Sequence, residues 1–128
     1  MAKPKQHQEK ADHCRKFLST IGDEFSDWRA IVAFYVALHL VEKLRAYNGE
    51  HSTSHDDRDA YVRRNHSTIY NPYHQLFNAS LDARYKTLGA FTISSEDVQK
   101  VLVDTYLVEI ETYVADETKR HASRSSVP

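Results

Sequence analysis

The sequence predicts an all-α protein: a single four-helix up-down bundle with a short extra helix in the long loop between the second and third helices. Three observations carry this. Gly and Pro number three each in 128 residues, too few for the turns of a β-sandwich or barrel. Four long segments place apolar residues at helical spacing. The three glycines, Gly22, Gly49 and Gly89, fall where the first, second and third of these segments stop. A chain of this length makes one domain with a real core. That domain is expected over residues 1–121, followed by a patternless disordered tail at 122–128.

The first helix is read over residues 5–20, with Ala11, Cys14, Phe17 and Leu18 at helical spacing and charged residues between them. The second runs from about Trp28 to Asn48, capped by Asp23 or Ser26. Ile31, Val32, Phe34, Tyr35, Leu38 and Val41 make it apolar nearly all round, which marks the central helix, packed on more than one side. Residues 49–68 are polar and dense in His, Arg and Asp, and Ser54 is a good cap for a short helix over 56–64 with acids in its first turn. Asn71-Pro72 reads as N-cap and N1 of the third long helix, with Tyr73, Leu76, Phe77, Leu81 and Arg84 on one stripe. Ser94 or Ser95 opens the fourth, with Val98, Val101, Leu102, Thr105, Tyr106, Val108 and Tyr113 inward at α-helical spacing.

Composition excludes several function classes. A formal charge of −1 gives no global basic field to hold nucleic acid, so any such contact requires a local patch. Cys14 is the single cysteine, which rules out an intramolecular disulfide and fits a reducing compartment. The longest apolar run, around Ala30–Leu38, is too short to span a bilayer. No apolar stretch follows the basic N-terminal residues as in a signal peptide, so a cytoplasmic location without membrane attachment is expected. Glycine-rich phosphate loops, a nucleophile elbow, paired catalytic carboxylates and a Cys-pair zinc motif are absent.

The chemistry-bearing residues concentrate in the polar loop. Imidazoles suit acid–base work near neutral pH and guanidinium suits phosphate. His55 and Arg58, three apart, share a face if the segment is helical. His51, Arg63, Arg64 and His66 lie nearby, and the plain alternative is a solvated helix on which Asp56, Asp57 and Asp59 neutralise the three arginines. His51 and His55 have metal-pair spacing, but Ser52-Thr53-Ser54 separates them and no third ligand is evident; no metal and no cofactor are expected. Arg84 falls on an inward stripe, where a guanidinium requires an acid or an anion. Asp82, Asp27 or an acid of the fourth helix is the structural candidate. His39 reads as a hydrogen-bonded core histidine. Tyr85, with Tyr70 and Tyr73, offers a ring on which a base can stack.

From Phe34 onward the chain resembles the HEPN superfamily of small helical proteins, over about residues 28–115. The resemblance rests on Phe34-Tyr35-Val36-Ala37-Leu38-His39, on Gly49 and the loop histidines His51 and His55, on Ser80-Leu81-Asp82-Ala83-Arg84-Tyr85, and on Phe91 followed by the acid-capped Ser94-Ser95-Glu96-Asp97. It implies a HEPN-like protein that binds or cleaves RNA, without metal if catalytic, and that forms a homo-oligomer. Carried over, His55, Arg58 and Arg84 are the candidate catalytic residues, and His51, Arg63, Arg64 and Tyr85 the candidate RNA-binding ones. The family's hallmark is an Arg followed after four to six residues by a His. Here Arg84 is followed by Gly89, Ala90 and Phe91 at those positions, with no His. That departure supports the alternative, a non-catalytic protein–protein interaction module of a larger complex or of a toxin–antitoxin or defence system. Apolar residues beyond one face per helix, Tyr47, Tyr61, Phe91 and Val114, are read as a dimer surface.

Overall fold

The structure, a computed structural model, describes residues 1–125, with side chains through Arg124. The described residues hold five helices, two short 3-10 turns and no strand. Helix α1 spans Pro4–Leu18, with Pro4 at N1 and the Gln6 side chain accepting a hydrogen bond from the Lys3 N–H. Helix α2 spans Ser26–Ala46, α3 His55–Asn65 and α4 Tyr70–Tyr85. The last, α5, opens at Ser95–Asp97, continues through a π-helical stretch, Val98–Leu107, and finishes as α-helix over Val108–Ser125. None of these helices is long and apolar enough to cross a membrane.

Helix α2 is the centre. From Ala30 to Leu44 every residue is buried except Tyr35 and His39, which are half-buried. Helices α1, α4 and α5 all pack on it. Ile31, Leu38, Leu76 and Leu102 are buried in one core, with Tyr35, Phe77 and Tyr106 packed at its margin. Helices α1 and α2 run antiparallel, joined near their open ends by Lys43 Nζ donating to Gln8 Oε1 at 2.7 Å and by His7 against His39.

After α2 the chain turns at Gly49, whose φ of +73° lies in the left-handed region that glycine enters without strain. It then runs back along the helix it has left. The Ser52 N–H meets Glu42, and the His55 ring lies 6.2 Å from that of Phe34. Phe34 is twelve residues before Ala46, roughly 18 Å along the helix. Ser54 caps α3 as the sequence predicts, its hydroxyl accepting from the Asp57 N–H at 3.0 Å. Helix α3 returns beside α2, and His66 closes it: one ring nitrogen is 3.0 Å from Tyr61 Oη and the other 2.7 Å from Tyr113 Oη, which ties the α3–α4 turn to α5.

Four expectations are corrected. Helix α4 starts at Tyr70, after a tight turn at Ser67–Ile69, so Pro72 stands third in the helix; it is tolerated there because the first turn's N–H groups have no helical acceptor. In α5 the inward residues are Val98, Leu102, Val103 and Leu107, while Val101, Thr105 and Val108 face solvent. The cause is the wider π turn, whose i→i+5 bonding moves the apolar stripe off α-helical spacing. The expected tail is helical as far as Ser125; Ala122 is a strong helix former and Arg124 complements the negative end of the helix, while 126–128 lie outside the described residues. Finally, the residues read as a dimer surface are used within the subunit. Val114 and Tyr61 are buried, Phe91 packs on the core, and Tyr47 stacks on His121 with ring centres 3.9 Å apart. These side chains complete one subunit's interior because α3 and the end of α5 fold over them.

Candidate functional site

The reversal after α2 delivers the polar loop to a buried carboxylate. Glu42 is 5% exposed on a helix packed from several sides, where an unmatched negative charge is costly. Arg58 reaches it from α3. Its Nε lies 2.8 Å from Glu42 Oε1, and the Ser52 N–H takes the other oxygen at 3.1 Å. These donors hold the Glu42 carboxyl below its ordinary pKa although burial alone pushes it up. Arg58 Nη1 lies 3.0 Å from His55 Nδ1. Beside them Tyr73 is buried, and that burial raises its hydroxyl to about 12, partly offset by the Arg58 charge.

His55 is exposed on one edge and wedged on the other, 5.3 Å from the Phe77 ring. Its pKa is lowered, first by burial and then by the charges of Arg58 and Arg84, with Asp56 acting the other way. Arg84 follows Phe77 by seven residues on α4, two helical turns along the same stripe. Arg84 itself is half-buried. Its Nε donates to the Ser80 carbonyl at 3.2 Å and Nη2 to Ser80 Oγ at 3.4 Å, while its guanidinium carbon sits 5.5 Å from the centre of the Tyr85 ring. Asp82, a candidate partner, is engaged by Lys86 at 3.3 Å. Among the described residues no carboxylate pairs with Arg84.

The structure thus joins His55 to Arg58 directly and places Arg84 seven residues beyond Phe77, the α4 ring that packs on His55, with the exposed Tyr85 against the Arg84 guanidinium. Arg63 is elsewhere, 4.0 Å from Asp59 on the exposed side of α3; Arg64 and His51 are exposed and join none of these contacts. The neutralising role assigned to the three aspartates is corrected for Arg58, which pairs with Glu42. Asp57 instead bonds Arg45 at 3.2 Å and the Thr53 N–H at 3.0 Å, and Asp59 accepts from Tyr70 at 3.2 Å. The expected site lacks Glu42, the one acid in the buried Ala30–Leu44 stretch of α2, and an acid so placed is itself a signal that a cation must meet it.

A pair of imidazoles meets between α1 and α2. His7 Nδ1 and His39 Nδ1 are 3.4 Å apart, and His39 is lowered to about 4, chiefly by burial and then by the neighbouring His7, Lys10 and Arg58. His39 is a half-buried histidine against α1. Among the described residues no group of three or more His, Cys, Asp or Glu side chains is placed to hold a metal ion. No family model, curated protein or solved structure matches the chain.

Two outcomes follow from this geometry. Arg58→Met strands the Glu42 carboxylate in the interior and is expected to cost about 3–5 kcal/mol in chemical denaturation, most of it recovered in Glu42→Gln/Arg58→Met, which removes the pair as a unit. A double variant as unstable as the single one would contradict the pairing. The histidines set the pH dependence. His7, His39, His55 and His66 are all lowered on folding, so the unfolded chain takes up protons first as pH falls. Stability is then greatest above about pH 6.5, the unfolded value, and declines toward pH 4, where His39 itself titrates. Unfolding free energies from urea titrations should fall from pH 7.5 downward across that window, and His39→Gln should reduce the total loss by about 1–2 kcal/mol after allowance for solvent screening.

Proposed function

We propose that this chain is a HEPN-like RNA-binding protein of the cytosol, in which α1, α2, α4 and α5 form the family's four-helix up-down bundle and α3 is the short extra helix. The observation that carries the reading is Arg84: a half-buried guanidinium with no carboxylate partner among the described residues, on the same α4 stripe as Phe77, which packs on the exposed imidazole of His55. A phosphate of the RNA backbone is the anion such a pair accommodates. Tyr85, 77% exposed and already in contact with the Arg84 guanidinium, supplies a ring for an adjoining base. In the catalytic form of this reading the same groups cleave RNA without metal, the histidine moving a proton and an arginine holding the phosphorane.

Binding is tested with a labelled single-stranded RNA of about ten nucleotides at low salt. Arg84→Ala and His55→Ala are each expected to weaken it about tenfold, and added salt to weaken it in the wild type, with a smaller slope in Arg84→Ala. Equal affinity in the wild type and Arg84→Ala would sink the reading.

A second reading, a module that docks another protein, is favoured by a different observation. Phe17, Phe25 and Trp28 are each more than half exposed and, with Ile21, line one apolar depression where α1 turns into α2. The same surface suits a homodimer. Light scattering at micromolar concentration is expected to give about twice the chain mass of 14.8 kDa, and Trp28→Ser to lower that mass; a single-chain mass in the wild type would remove the homodimer.

A further inference from the structure

The hydrogen bond between Arg58 and His55 fixes more than position. A guanidinium has donors only and does not lose its proton in proteins. The contact of Arg58 Nη1 with His55 Nδ1 at 3.0 Å therefore requires Nδ1 to accept. A neutral imidazole accepting at Nδ1 carries its hydrogen on Nε2.

Arg58 is not free to turn away from this duty. Its guanidinium is planar, and its Nε is held by Glu42 Oε1 at 2.8 Å. Glu42 is held in turn, its second oxygen accepting from the Ser52 N–H at 3.1 Å. Both side chains are close to nine-tenths buried or more, at 11% and 6% exposure. The imidazole is confined by Phe34 and Phe77, at ring separations of 6.2 and 5.3 Å. A chain of fixed groups thus runs from Glu42 through Arg58 to one nitrogen of His55 and leaves the other for the exposed side.

We propose that Glu42 and Arg58 are positioning residues that hold His55 as its Nε2–H tautomer, so that His55 and Arg84 together grip a phosphate as hydrogen-bond donors and hold an RNA strand without cutting it. The ligand rests on the RNA-binding reading above; the tautomer does not. With Nδ1 occupied and Nε2 protonated, His55 has no free basic nitrogen to take the proton of a 2′-hydroxyl. Adding a second proton sets an Nδ1–H donor against an Arg58 donor, and the Arg84 charge opposes it as well; Asp56 is the nearby group that favours it.

The test uses the full chain with ¹⁵N-labelled histidine. Long-range ¹H–¹⁵N spectra at pH 7.5 are expected to show His55 protonated at Nε2 and bare at Nδ1. In Glu42→Gln/Arg58→Met the expectation is a mixture of tautomers and a His55 titration midpoint raised by roughly half a pH unit or more, a change that a purely structural role for Arg58 would not produce. An Nδ1–H tautomer in the wild type overturns the proposal, and that spectrum decides even if the double variant does not fold. So does an unchanged His55 spectrum in a folded double variant. With divalent metal chelated, the short single-stranded RNA is expected to stay intact while bound, and its affinity to fall about tenfold in the double variant. Cleavage by the wild type that disappears in His55→Ala also overturns the proposal. The predicted tautomer together with no RNA binding in the wild type upholds the positioning assignment and overturns the RNA ligand instead.

Discussion

The ion pair between Glu42 and Arg58 is the constraint from which the polar half of this molecule follows. Helix α2 is packed from several sides, and Glu42 is a carboxylate placed inside that packing. Alone it would cost several kcal/mol; met by a planar, permanently charged guanidinium and a backbone N–H, it becomes an attachment point. That attachment draws the chain after Gly49 back along α2, sets the depth of α3, and through the second nitrogen of Arg58 orients His55. One helical turn on, Arg45 repeats the device in weaker form. It bonds Ser52 and Asp57 and lies 4.8 Å from the Tyr61 ring centre, so the loop and α3 are fastened to α2 at two successive levels.

How much of this could be read from the chain depended on how local the signal was. The central role of α2, the Ser54 cap and the Ser94 cap were legible because they rest on apolar spacing and on a hydroxyl three residues before its N–H partner. The inward position of Arg84 was legible from its stripe on α4. The partner of Arg58 was not, since Glu42 is sixteen residues away and nothing in the spacing separates it from the three aspartates nearby. Tyr61 and Val114 were misassigned to a dimer surface for the same reason: whether an apolar residue faces a neighbour or its own subunit depends on the path of the loop between them.

Helix α5 shows the other limit. Its apolar residues fit an α-helical stripe through Val98, Val101 and Val108 about as well as the real one through Val98, Val103 and Leu107. Side chains take part in the wider turn. Thr105 donates to the Lys100 carbonyl at 2.8 Å and Gln99 to Asp104 at 2.8 Å, both across five residues. The added residue per turn lets Leu102 and Val103 enter the core together and returns the α-helix with Ile110 and Val114 inward. It also places Tyr113 on the side of α5 where His66 waits, so the clamp on the α3–α4 turn depends on a distortion one helix length away.

The charges around the candidate site then have a consistent logic. Four histidines, His7, His39 and His66 half-buried and His55 exposed at one edge, have lowered pKa values, so at neutral pH they contribute hydrogen-bonding capacity without positive charge. Arg58 is neutralised by Glu42, and Lys86 takes Asp82. What remains is Arg84, held by its own helix through Ser80 and by the face of Tyr85. These contacts satisfy some of its donors but do not balance its charge. A protein with a net charge of −1 can therefore carry a local positive charge at Arg84, because Asp82 and Glu42 are committed to Lys86 and Arg58. The partner best suited to that spot is an anion that accepts hydrogen bonds from Arg84 and from the outward nitrogen of His55 at the same time. A phosphate has the oxygens to do both, whereas Asp82, two residues from Arg84, is engaged by Lys86, and Asp57, two residues from His55, by Arg45.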